Sequence, residues 1–375
     1  MPCSCPDTLG PVTAERLARA QAAAQQAGFD ALLITPGADL RYLTGYQALP
    51  LERLTCLVLP ATDDSRLLVP ELERPAAEAS LARAHGIEIV GWPETADPIA
   101  LVADMLPKAG RVALDDHMWA EKVLRFRAAM PDAEQLLAGP VLRELRMRKS
   151  PKEVAALREA GVAIDRVHAR MGEWLATGRT EREVRRDIGN AIVDEGHVRV
   201  DFVIVASGPN AASPHHEAAG RAIESGDPVV VDIGGTTEAG YCSDEARTYV
   251  VGEPADEFTV HYGALRQAQD AAVQHVRPGV TAESVDAVAR EGLTAAGLGE
   301  YFVHRTGHGI GLETHEEPYI VAGNDRVLEP GMTFSVEPGF YLPGRYGARI
   351  EDIVVVSEDG VERLNVRPRE LAILR

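Results

Sequence analysis

Cysteine, aromatic residues and basic charge are all scarce in this chain, and each scarcity removes a class of protein. Four cysteines in 375 residues (Cys3, Cys5, Cys56 and Cys242) cannot build a disulfide framework. Cys3 and Cys5 form a Cys-x-Cys pair with no second pair to complete a metal site, so a loose terminus is the expectation there. No apolar run approaches the roughly 20 residues needed to cross a bilayer, so no membrane partner is expected. The opening MPCSCPDTLG has neither a basic start nor an apolar core, which points to no secretory signal and a cytoplasmic location. Lysine and arginine number 38 against 57 aspartates and glutamates. The formal net charge of −19 excludes nucleic acid as the main partner. It favours solubility, and it means that a single Asp or Glu carries no weight here unless it belongs to a pattern.

What is present is organised in two parts. In the first 140 or so residues, short β-rich runs (ALLITPG, CLVLP, RLLVP, IEIVGW and RVALDD) alternate with segments rich in alanine and leucine at helical spacing. This reads as an α/β layered domain over 1–142, without a glycine-rich phosphate loop or any dense His/Asp/Glu cluster. A basic junction, VLRELRMRKSPKE, follows. Within it, Ser150-Pro151-Lys152-Glu153 spells a capping box with proline at the first helical position. The helix it starts is expected to run to Gly178, opening a second domain over 150–375.

That second domain repeats itself. GRTEREVRRDIGNAIVDEGH and GVTAESVDAVAREGLTAAGL both read as glycine, threonine cap and amphipathic helix, at an offset of 101 residues. GDPVVVDIGG and PGMTFSVEPG align Gly226 with Gly331 and Asp232 with Glu337, at an offset of 105. Each half delivers a carboxylate after a hydrophobic strand and before a glycine turn, which suggests a pseudo-twofold domain with its site between the halves.

Five candidate ligands stand in order along it: Asp232 in VVVDIGG, Asp244 in GYCSDEART, His308 in HRTGHGIGLETHEEP, Glu337 in FSVEPGFY and Glu351 in ARIED. Asp232 and Asp244 flank a turn at Gly240, so paired strands of a hairpin can aim both at one face. Glycines on either side of His308 allow the close backbone approach that a crowded imidazole needs. His315 adds a second imidazole nearby. Buried carboxylates cost several kcal/mol unless paired or metal-bound. Four of them with one histidine suit two adjacent divalent cations of the manganese, cobalt or zinc type, because hard oxygen ligands dominate and carboxylates can bridge.

These phrases resemble the pita-bread metallopeptidases, specifically the branch of prolidase and Xaa-Pro aminopeptidase. GFDALLITPGADLRYLTG is similar to that branch's N-terminal domain, and LRMRKSPKEVAALREA to its interdomain junction. The resemblance implies an α+β protein, a pita-bread catalytic domain behind a smaller creatinase-like α/β domain. It also implies two divalent cations, manganese first, with cobalt or zinc as alternatives. Asp232 and Asp244 would hold one, with Glu351 bridging. Asp244 and Glu351 would share the other with His308 and Glu337. A water or hydroxide between them would attack the carbonyl, Glu337 moving the proton, while His215 (in SPHHEAAG) and His315 face the substrate. Arg349 would orient Glu351; His304 and His216 would be supporting groups. The implied substrates are proline-containing dipeptides or short peptides, and the implied assembly is a homodimer. The competing readings are a non-catalytic pita-bread binding protein and a creatinase-like C–N hydrolase, both associated with loss of ligands that this chain retains. Two positions depart from the family pattern. Ala246 replaces a hydroxyl in Asp244-Glu245-Ala246-Arg247-Thr248, and Tyr319 occupies the place of an arginine that clamps a dipeptide's carboxylate in some prolidases. Arg326 or Arg345 is the expected substitute.

Overall fold

The β-rich runs of the first 140 residues become the strands Ala31–Ile34 (β1), Cys56–Pro60 (β2), Arg66–Pro70 (β3), Glu88–Trp92 (β4) and Arg111–Leu114 (β5). An edge strand, Glu134–Leu137 (β6), joins them without a sequence signal of its own. The computed structural model describes residues 10–374, so the Cys3–Cys5 pair lies outside the described residues. The chain divides into two compact units, Met1–Arg146 and Met147–Arg375. In the first, one mixed sheet runs β4-β3-β2-β1-β5-β6, antiparallel only on either side of β2. Leu33, Cys56, Leu68, Val112 and Phe126 fill its core. The segment PELERPAAEASLARAHG is not one helix. It breaks into Arg74–Glu78 and Leu81–Ala84, because Ser80 turns extended and its side chain caps the second piece by accepting from the Ala82 N–H at 3.3 Å.

In the second unit the strands run His197–Ser207 (β7), Pro228–Thr237 (β8), Glu245–Val251 (β9), Gly307–Gly309 (β10), Glu316–Ile320 (β11), Thr333–Val336 (β12), Gly339–Leu342 (β13), Tyr346–Arg349 (β14), Asp352–Val356 (β15), Val361–Arg363 (β16) and Ala372–Leu374 (β17). One sheet has the order β17-β9-β8-β7, another β11-β10-β12-β15-β16, and β13-β14 form a hairpin. Ser150 starts helix Pro151–Ala169 with a reciprocal capping box to Glu153. The sequence pattern carries that helix to Gly178, but it ends at Ala169, where Met171, Trp174 and Leu175 turn into the core. No helix among the described residues is long and apolar enough to cross a membrane.

The two halves suggested by the repeat are duplicated down to single hydrogen bonds. Thr180 precedes helix Glu181–Asp194 and bridges to Ala222; Thr281 precedes helix Ala282–Ala295 and bridges to Val327. The Ile223 N–H donates to Arg179 O, and the Leu328 N–H to Val280 O, both at 2.8 Å. Gly226 and Gly331 close the same turn, donating to Val251 O (2.6 Å) and Val356 O (2.9 Å). Each turn feeds the strand that presents an acidic residue: β8 with Asp232, and β12 followed by Glu337.

Both turn glycines adopt the left-handed backbone region, at φ +92° and +86°. A Cβ at Gly331 would stand 2.7 Å from the Lys149 carbonyl oxygen, while at Gly226 the nearest atom is 3.3 Å away. Gly331→Ala is therefore expected to cost about 1–3 kcal/mol and Gly226→Ala less. Urea unfolding checks this as a lowered midpoint at constant slope; equal midpoints for the two variants would contradict it.

Candidate metal centre

Asp232 lies mid-strand in β8, opposite Ala246 in β9, and Asp244 stands one residue before β9, so the hairpin expected from the sequence exists and turns both carboxylates inward. His308 is the centre of the three-residue strand β10. A Cβ at Gly307 would fall 1.8 Å from Ser335 O, and one at Gly309 2.2 Å from Glu317 O, so neighbouring strands close on the histidine from both sides. The His308 N–H donates to Ser335 Oγ (3.0 Å), which in turn donates to Glu337 Oε1 (3.0 Å). The imidazole Nδ1 lies 3.1 Å from Gly309 O, leaving Nε2 facing Glu337 Oε1 at 3.2 Å and Asp244 Oδ2 at 3.6 Å. Ligand atoms of Asp244, His308 and Glu351 all fall within 4.8 Å of one another. The Glu351 N–H is tied to Ala246 O at 3.0 Å, which seats the start of β15 beside β9.

All of this but the half-buried Glu337 is buried, and the charges do not balance. Burial pushes Asp244 well above the ordinary carboxylate range, and the charges of Asp232 and Glu337 push it further. Glu351 is likewise raised well above its usual value, by burial and then by Asp244, Glu337 and Asp232. Asp232 is raised by burial against the pull of Arg349. Burial alone would raise Glu337 too, but the hydrogen bond and charge of His308, with His304 and Arg349, outweigh it and hold Glu337 at about 2. Asp232 Oδ1 and Glu351 Oε2 are buried without a hydrogen-bond partner. Lone acceptors facing a negative cluster are what divalent cations would satisfy, so the donor set fits the implied metal.

Arg349 is 2 % exposed and acts differently from the expectation. It does not hold Glu351. Its guanidinium donates to Asp232 Oδ2, to Pro214 O (3.1 Å) and to the Tyr341 hydroxyl (3.0 Å), because β14 runs its side chain across to β8. Thr248 locks that strand in place, exchanging hydrogen bonds with the Arg349 backbone at 3.0 and 3.1 Å. Ala246 is fully buried opposite Asp232 in the strand register, and Asp232 Oδ1 has no hydrogen-bond partner.

The cluster forms the floor of a cleft of about 970 Å³, walled partly by Phe202 and Ile204. His215 and His315 both line it, as do His304 and His216. The His315 ring packs on His308, centroids 3.9 Å apart. Burial, then the charges of His308 and Arg305, hold His315 down at about 4, so it is neutral at physiological pH. Neither expected substitute arginine reaches the cleft. Arg345 pairs with Glu257 at the surface, and Arg326 lies outside the lining. Arg305 and Arg185 line it instead.

Two supports were invisible in the sequence pattern. Arg247 stands 3.1 Å from Glu245 and 2.6 Å from Asp352, the acids immediately after Asp244 and Glu351, and so ties the two halves together directly behind the cluster. The doublets Asp244-Glu245 and Glu351-Asp352 were the available signal. Glu181 is fully buried and accepts from Ser207, Asn210, His216 and the Ala219 N–H at 2.7–3.2 Å. It thereby pins the segment bearing His215. Only the neighbouring capping box of Thr180 and Glu183 is legible in that stretch.

A pseudo-duplicated α/β unit with carboxylates and an imidazole gathered from both halves is the pita-bread catalytic fold, here preceded by a smaller α/β unit. Comparison with known proteins agrees. The family description metallopeptidase family M24 matches residues 155–358, and the creatinase/prolidase N-terminal domain matches 16–148. The chain belongs to metallopeptidase family M24 and is a peptidase. It is 54% identical over 364 residues to the probable dipeptidase PepE of Mycobacterium tuberculosis, covering 97% of each chain. It is 37% identical to the Xaa-Pro dipeptidase of Lactobacillus helveticus, covering 93% of this chain and 96% of that one. Among solved structures, dipeptidase PepE from Mycobacterium ulcerans superposes with a TM-score of 0.93 at 54% identity, covering 98% and 99% of the two chains.

Because Asp244 and Glu351 hold their protons above the ordinary range without metal, cation uptake must displace protons. Calorimetric titration of metal-stripped protein with Mn²⁺ in two buffers of different ionisation enthalpy is expected to show proton release on binding. Affinity should weaken as pH falls. Proton-neutral uptake with pH-independent affinity would contradict this electrostatic description.

Proposed function

We propose that this chain is a dinuclear metallopeptidase that hydrolyses the Xaa-Pro bond of short peptides. The observation that carries the reading is the cluster of buried Asp232, Asp244, His308 and Glu351 with half-buried Glu337 at the floor of a cleft, with two acceptor oxygens left unpartnered. The curated relatives support the substrate class, since one is named for Xaa-Pro dipeptides. We assign catalysis to residues 150–375, with 1–142 carrying no chemistry of its own.

Asp232 and Asp244 would hold one cation with Glu351 bridging, and Asp244 and Glu351 would share the other with His308 and Glu337, with manganese as the proposed ion. Held there, the pair would lower the pKa of a shared water and polarise the scissile carbonyl. Glu337, ionised down to about pH 2, is ready to accept the attacking water's proton on its carboxylate and pass it to the leaving proline nitrogen. His315, neutral above about pH 4, is suited to donate a hydrogen bond to the developing oxyanion without carrying charge itself. His215, also on the lining of the cleft, would do the same. Arg349 opposes the burial that raises Asp232 and fixes that carboxylate by a hydrogen bond, and through Pro214 O it couples it to the His215 segment.

Stripping with a chelator should abolish hydrolysis of Ala-Pro, and Mn²⁺ or Co²⁺ should restore it. Glu337→Ala should keep the wild-type circular dichroism spectrum yet lose about 10²–10⁴-fold in kcat. A variant that still turns over at the wild-type rate would remove Glu337 from the mechanism. Activity indifferent to chelation would sink the reading itself.

A further inference from the structure

Lys149 immediately precedes the Ser150 cap, and its ammonium is buried, 2.6 Å from Oε1 of the buried Glu316. An ion pair this deep is a poor source of stability. Desolvation of both ends offsets their attraction, and a well-packed apolar pair of similar volume does as well or better. Its effect is geometric, because neither end can move without leaving the other charge buried and unpaired. What the pair holds in place therefore matters more than what it adds to folding.

One end of it is fixed to the turn that feeds β12. The Lys149 N–H donates to Gly331 O at 2.9 Å. Arg148 bridges to Met332, and its guanidinium donates to both carboxylate oxygens of Glu329 at 2.7 and 2.8 Å. Three residues beyond the cap, Glu153 accepts from the hydroxyl of Tyr241, in the hairpin turn that leads to Asp244, at 3.0 Å. The other end opens β11. Glu316 pairs with Gly309, the neighbour of His308, and its carboxylate fills the space over Gly311, where a Cβ would fall 2.6 Å from Oε1. The residue just before it, His315, lines the cleft, whereas Glu316 does not. Among the described residues the His315 ring has one hydrogen-bond partner, an Arg305 N–H at 3.5 Å, which is at the outer limit of such a bond. The place of that imidazole is therefore set through its backbone, and Glu316 anchors that backbone from outside the cleft.

We propose that Lys149 is a positioning residue for His315: by gripping Glu316 from behind, it keeps the preceding imidazole stacked on His308 and held in the cleft. The assignment rests on the role given to His315 above. Lys149 touches neither substrate nor metal ligand in this account; it is a spacer of fixed length between the Gly331 turn and the start of β11.

The test is a set of variants of the manganese-loaded, full-length protein assayed on Ala-Pro. His315→Gln should lose about 10²–10³-fold in kcat. Lys149→Met should lose roughly 10- to 100-fold in kcat with KM little changed, the effect of displacing by about 1 Å a group that meets the transition state. Its calorimetric Mn²⁺ affinity should stay at the wild-type value. In the His315→Gln background Lys149→Met should cost no further kcat, since the group it positions is gone. Lys149→Met combined with Glu316→Leu removes both charges and should unfold near the wild-type urea midpoint, yet keep the kcat deficit. That variant carries the test if Lys149→Met alone does not fold. The assignment alone is overturned if His315→Gln lowers kcat and removal of the Lys149 charge does not. It is equally overturned if the losses multiply in the His315→Gln background, if Mn²⁺ binding weakens in step with kcat, or if the charge-free pair regains kcat along with stability. A wild-type kcat in His315→Gln overturns the reading of His315, and the assignment with it.

Discussion

Burying several like charges in one place is the constraint around which the catalytic unit is organised. Asp232, Asp244, Glu337 and Glu351 sit at one floor with the His308 imidazole and the Arg349 guanidinium, which pairs with Asp232. Such a cluster opposes folding unless the rest of the structure imposes it, because each carboxylate loses its hydration and repels the others. The structure imposes it by duplication. Each half contributes a glycine turn and the strand leading from it, and each half brings an acid at the start of the next strand. The negative charge thus gathers where the halves meet, and divalent metal is its natural complement.

The supports behind the floor follow from the same constraint. Arg247 bridges Glu245 and Asp352 one residue beyond the two inner carboxylates, so the strands that present Asp244 and Glu351 cannot separate without exposing a buried cation. Arg349 does the corresponding work for Asp232 and reaches the His215 segment, whose far side is fastened by Glu181. Floor and wall are therefore mechanically connected. A substitution in either arginine would be felt in metal affinity and in substrate orientation together.

Much of this was legible in the chain because the chemistry is written in short contiguous phrases. The glycines around His308, the valines before Asp232 and the proline after Glu337 report local backbone demands, and local demands survive in sequence. The repeat was legible for the same reason: the glycine, cap and helix recur at fixed spacing. What escaped were facts decided by packing across distant segments. Nothing near Arg349 says that its guanidinium reaches Asp232 and leaves Glu351 to others; that depends on how β14 lies against β8. Arg305 and Tyr319 are 14 positions apart and meet only because β10 and β11 pair. The helix from Pro151 stops short of Gly178 because buried Trp174 and Leu175 outweigh the helical pattern.

The most direct trial of the account is an anomalous-diffraction measurement on crystals of the full chain grown with manganese, collected on both sides of the metal's absorption edge. Two peaks are predicted within bonding distance of Asp244 and Glu351, one also beside Asp232 and the other beside His308 and Glu337. A floor without anomalous density, at full protein order, would mean that the acidic cluster is stabilised by protons alone and that the catalytic account is wrong.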